Sequence, residues 1–158
     1  MSPEPITEDM TQAGLMRRLA AMFYDAWLIV AIWFLSTTLW VVFLNEGNAV
    51  VGPAFQLFLY LEAAAFYVYF WRVKGQTLGM QVWKIRTVSD TGDIMSIGEC
   101  LTRFFFATFS TVFLGLGFIW MLFDSEKLTW HDRASGTKVM FLGKDAYKKD
   151  KAEEKPNA

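Results

Sequence analysis

Cysteine and histidine are almost missing from this chain. Cys100 and His131 are the only examples among its 158 residues. A lone cysteine excludes an intrachain disulfide framework and a cysteine-based metal cluster, and a lone histidine excludes a multi-histidine site within one chain. No motif sets a Ser or Cys nucleophile beside a base. We therefore expect neither an enzyme nor a bound cofactor, and no nucleic-acid partner. Charge is missing too, in two long places. Between Leu19 and Leu44 the one charged residue is Asp25, and the turn at 45–50 holds no Lys or Arg.

What is present is apolar. Hydrophobic residues make up 54% of the chain and aromatics 17%, arranged in long uncharged runs. That pattern belongs to an integral membrane protein, since roughly 20 apolar residues suffice to cross a bilayer. The reading is an all-α membrane protein of three to four hydrophobic helices with a small cytoplasmic β segment. The helices are expected at about 16–44, 51–71 and 104–123. The first run is too long for a signal-peptide core and lacks a clear cleavage site. Residues 1–13 read as a flexible tail or short surface helix, 14–143 as the membrane domain, and 144–158 as a disordered charged tail.

The segment 72–103 differs in kind. Arg72, Lys74, Lys84, Arg86 and Arg103 make it basic. Residues 81–88 alternate apolar and polar as a strand does, and 89–93 carry turn chemistry. Ser96 and Glu99 have the spacing of a helix capping box. Thr137–Phe141 is a second strand candidate, able to pair with 81–88 if both lie on one side.

Topology is open at the third run. The positive-inside rule puts Arg17, Arg18 and the 72–103 loop in the cytoplasm. A single third crossing would then leave Lys127, Arg133, Lys138 and Lys144 outside. A turn near Gly115 and Gly117, giving a re-entrant or doubled helix, keeps them inside and is favoured.

The polar residues inside these runs are the candidates for function. A charge near the bilayer centre costs about 2.5–3.5 kcal/mol on insertion scales, so it needs a partner or a task. Asp25 is either a proton or cation site or a buried hydrogen-bond hub. Arg18 is seven residues before it, on the same helical face and about 10 Å along the axis, too far for unaided contact. Arg17, on a neighbouring face, reads as an anchor that snorkels to lipid phosphates. Glu62 is the second intramembrane carboxylate, set among small residues. It is expected either to join a proton relay or to pair with Arg103 or with a Tyr or Thr hydroxyl. Asp124 stands just past the third run. His131–Asp132 reads as turn and interface chemistry at the membrane surface.

Three stretches together resemble the RDD family of bacterial membrane proteins. Gly14 to Asp25 (GLMRRLAAMFYD) is similar to the family's opening, with Arg18 and Asp25 in the arginine and first-aspartate places. Gly75 to Met80 (GQTLGM) is similar to its GQTLGK-type stretch, with Met80 where a basic residue is common. His131 to Val139 (HDRASGTKV) is similar to its closing segment. It puts Asp132 in the second-aspartate place, ahead of Asp124. The likeness covers about residues 14–142. It implies a helical inner-membrane protein, for which transport is suggested; the positive-inside rule puts its N-terminus in the cytoplasm.

Two functions follow as expectations. One is a small proton-coupled cation transporter working through Asp25 and Glu62, oligomeric because the chain is too small to enclose a pathway alone. The other is a membrane scaffold or accessory subunit, in which Arg18, Asp25 and Asp132 form a structural polar network. The expected partners are the lipid bilayer and either further copies of the chain or another membrane protein.

Overall fold

The computed structural model describes residues 10–113 and 115–143. Two long helices dominate it: α1, Leu15–Leu44, and α2, Pro53–Lys74. Both are long and apolar enough to cross a membrane. Their outer faces stay bare: Phe34 and Phe43 of α1 are each 75% exposed. Exposed apolar area on that scale is a surface for lipid or for other helices rather than for water. Each helix starts or stops where its sequence dictates. Pro53 sits in the first turn of α2, where its missing N–H costs nothing. Gly75 ends α2 in the left-handed conformation, φ 66°, its N–H donating to the Trp71 carbonyl.

The short helix α3, Leu78–Val82, follows at once. The Thr77 hydroxyl accepts from the Met80 N–H at 3.2 Å and so caps it. The expected strand over 81–88 is thereby corrected: its first residues belong to α3. Lys84 then takes a left-handed turn, φ 53°, and the strand β2 runs over Ile85–Ser89. The alternation was real, but the Thr77 cap four residues upstream outweighed it locally. The helix α4, Ile97–Val112, opens on the expected capping box of Ser96 and Glu99. It runs on unbroken from the basic segment into the third apolar run.

Between Val112 and Leu116 the chain bends by 104°, close to the glycines that suggested a turn. The helix α5, Leu116–Ile119, and a 3₁₀ turn at Trp120–Leu122 follow. At Gly117 a Cβ would stand 2.3 Å from Ser110 Oγ, so only glycine lets the bent segment lie this close to α4. The helix α6, Trp130–Ser135, and the strand β3, Thr137–Phe141, complete the described fold.

β3 is the centre of a three-stranded antiparallel sheet. It pairs with β2 from Ile85↔Phe141 to Ser89↔Thr137, as expected for these two stretches. Its other neighbour, the strand β1 at Thr11–Gln12, lies within the segment read as a tail. The remainder of that segment, 1–9, and the charged tail from 144 lie outside the described residues. The helices α1, α2 and α4 each contribute residues to the core beside this sheet. The apolar core gathers there, with Ala13, Ala21, Trp71, Ile85, Cys100 and Val139 among its members.

Candidate functional site

The capping residues of the short helices are also the residues of the site. Thr129 and Asp132 form a second capping box at the start of α6, with the Thr129 N–H donating to Asp132 Oδ2 at 3.0 Å. That box fixes the carboxylate, which is fully buried. The Arg18 Nη1 donates to the same oxygen, and the Arg103 Nη1 donates to Oδ1 at 2.5 Å. Arg18 is held from behind by the Ala13 carbonyl, 2.9 Å from its Nε, and Arg103 also donates to Thr137 Oγ1 at 2.6 Å. One carboxylate thus joins α1, α4, α6 and, through Thr137, β3.

Electrostatics follow from that geometry. Burial alone would push the Asp132 acid up, but Arg103 and Arg18 overcome it and hold the group well below the usual carboxylate range. The neighbouring His131 goes the other way from a free histidine. Burial, with Arg103 beside it, lowers it to about 3, so it is neutral at physiological pH. Its ring lies against Phe118, with centroids 4.8 Å apart. His131 and Asp132 lie in the first turn of α6. Both are buried, because the arginines give the aspartate the charge partners that water would otherwise supply.

Asp25 is buried in a separate arrangement. Thr77 Oγ1 donates to its Oδ2 at 2.5 Å, and the Gly79 N–H donates to its Oδ1 at 2.8 Å. No ion pair is found at Asp25 among the described residues. The carboxylate braces α3 from inside α1. Gly79 makes this possible: a Cβ there would stand 2.2 Å from the Ala21 carbonyl oxygen. Gly75-Gln76-Thr77-Leu78-Gly79 is thus the receptor for the aspartate of α1. Sequence reasoning had named the stretch without seeing that its Thr and Gly serve Asp25. The signal was their spacing ahead of a short apolar run.

A family model for RDD family proteins matches residues 12–136. The chain belongs to the RDD family. No curated protein and no solved structure matches it. In this RDD protein, Arg18 and Asp132 of the resemblance touch, while Asp25 stands apart from both. Arg103, a secondary candidate from sequence, is a full member of the set. Its expected pairing with Glu62 is corrected: Arg103 goes to Asp132, and Ser36 Oγ donates to Glu62 Oε2 at 2.8 Å. Ser36 is eleven residues beyond Asp25 on α1, about 16 Å along the axis, so Asp25 and Glu62 do not share a site.

The remaining candidates have local duties. Arg17 lies over the Phe141 ring at 3.9 Å, which ties the first turn of α1 to β3. Asp124 accepts from the Leu128 N–H at 3.0 Å and pairs with Arg133 at 2.6 Å, and both contacts lower its acid. Among the described residues no group of His, Cys, Asp and Glu is placed to hold a metal ion.

Proposed function

We propose that this RDD protein is a non-catalytic membrane scaffold or accessory subunit, whose Arg18, Asp25, Arg103 and Asp132 lock a cytoplasmic cap onto the membrane helices. The observation that carries this reading is Asp25. Each of its oxygens accepts one hydrogen bond, from Thr77 and from Gly79, and both bonds hold α3. In this arrangement the carboxylate serves as a brace between α1 and α3.

The orientation follows the same logic. Arg17, Arg72, Lys74, Lys84 and Lys138 gather at the sheet end, which supports placing that end in the cytoplasm of the inner membrane. The contact of Arg18 with Asp132 supports a third run that turns back rather than crosses. The bared apolar faces of α1 support assembly with further copies or with a partner membrane protein.

A second reading, proton-coupled cation transport, draws support from Glu62. It is a half-buried carboxylate within α2, held by Ser36 alone among the described contacts. Proteoliposomes with an imposed pH gradient separate the two. The scaffold reading expects no cation-dependent proton flux from the wild type, and a reduced folded yield of Asp25→Asn. Flux that disappears in a well-folded Asp25→Asn or Glu62→Gln variant would establish transport instead.

A further inference from the structure

Four buried nitrogens at the sheet end have no hydrogen-bond partner among the described residues: Arg18 Nη2, Arg103 Nε, Trp71 Nε1 and His131 Nδ1. Their residues are each no more than 6% exposed. Unsatisfied buried polar groups on this scale call for an explanation, because each costs about 1–3 kcal/mol. All four residues line one cavity of about 370 Å³. That volume falls within the range of small-molecule sites, roughly 300–1,000 Å³.

The cavity changes character along its length. Its far wall is apolar, with Trp33, Phe104, Ala107 and Val112. From Arg103 to Val112 it follows α4 for about 13 Å, away from the sheet and towards membrane depth. α2 packs on α4, whereas α1 and α4 scarcely meet, and the cavity fills the space between them. At the sheet end two guanidinium groups share the one carboxylate of Asp132, so positive charge gathers locally at that end. Asp25 also lines the cavity, two helical turns from Arg18, where it accepts from Thr77 and Gly79 and makes no ion pair with either arginine.

We propose that this cavity binds a single-chain amphiphile whose anionic head meets Arg18, Arg103 and Trp71 and whose apolar chain lies along α4. The head is an oxyacid, a carboxylate or a phosphate. Charge-assisted hydrogen bonds to a guanidinium are the strong ones, and an acceptor there satisfies the orphan donors. The inference rests on the cavity alone and holds whether the protein is a scaffold or a transporter.

The test uses the full chain in phosphatidylcholine nanodiscs and palmitate carrying a mid-chain diazirine. The expected result is saturable photolabelling at one label per chain, mapped to 60–71 and 103–112. Plain palmitate or lysophosphatidate competes at least tenfold better than methyl palmitate, and the better of the two acids identifies the head. Ala107→Phe fills the chain end without touching the arginines, and is expected to reduce labelling at least tenfold at unchanged thermal stability. Trp71→Phe removes one donor, and is expected to weaken competition severalfold. Label spread over the outer face of α1, equal competition by the ester, or full labelling of a folded Ala107→Phe variant would overturn the proposal. So would exclusion of the probe at every concentration, as when a second copy fills the gap.

Discussion

The two buried aspartates of this protein are stabilised by opposite means. Asp132 meets two arginines and a backbone N–H, while Asp25 meets a hydroxyl and a backbone N–H and no cation. Asp132 is therefore a charge that other charges depend on. Asp25 is a hydrogen-bond acceptor that other segments are folded around. Removing the first strands two guanidinium groups in a buried site, whereas altering the second loosens one short helix.

That difference predicts a ranking. Asp132→Asn has the largest effect, about 3–5 kcal/mol, the usual cost of breaking a buried ion pair from one side. Asp25→Asn keeps an acceptor for Gly79 and is expected to lose only about 1–2 kcal/mol. Denaturant unfolding in mixed micelles measures both. Equal losses would erase the distinction between the two sites.

Gly79→Ala attacks the Asp25 side through shape alone. With the Ala21 carbonyl 2.2 Å from the new Cβ, α3 must move off α1, at a cost of about 1–3 kcal/mol. The same unfolding assay, with protease sensitivity at 76–84 as the local readout, checks it.

Acid sharpens the Asp132 side. The folded protein keeps His131 neutral down to about 3, whereas an unfolded chain protonates it near 6.5. Stability present above pH 6.5 is therefore lost as pH falls through that window, at up to about 1.4 kcal/mol per pH unit. Below 3.8 protonation of Asp132 in the unfolded chain acts in the same direction, because its folded acid is depressed. A His131→Gln variant should flatten the profile between pH 6.5 and 4. The smallest effect belongs to Glu62→Gln. The group is half exposed, and Gln retains an acceptor for Ser36, so thermal stability should move by no more than about 0.5 kcal/mol.

Much of this was legible in the chain. The two long helices, the Ser96 cap, the pairing of 137–141 with the basic segment and the bend near Gly115 all follow from local rules. Arg18, Asp25 and Asp132 stood out because charge is so rare around them. Their partners were harder to see. Periodicity places residues on faces of one helix, and it put Arg18 and Asp25 on one face, too far apart for unaided contact. The actual neighbour of Arg18 lies 114 residues away, brought back by a turn whose geometry no period encodes. Arg103 was hidden for the same reason. Thr77 and Gly79 were hidden differently: a short cap looks the same in sequence whether it meets water or a buried carboxylate.

The central claim is that Arg18 and Asp132 are coupled parts of one structural lock between the first membrane helix and the sheet end. A double-mutant cycle of Arg18→Met and Asp132→Asn, read by reversible unfolding in mixed micelles, tests it most directly. The account predicts a coupling of at least about 1.5 kcal/mol, the double variant being more stable than the sum of the single losses implies. Additivity within about 0.5 kcal/mol would contradict it.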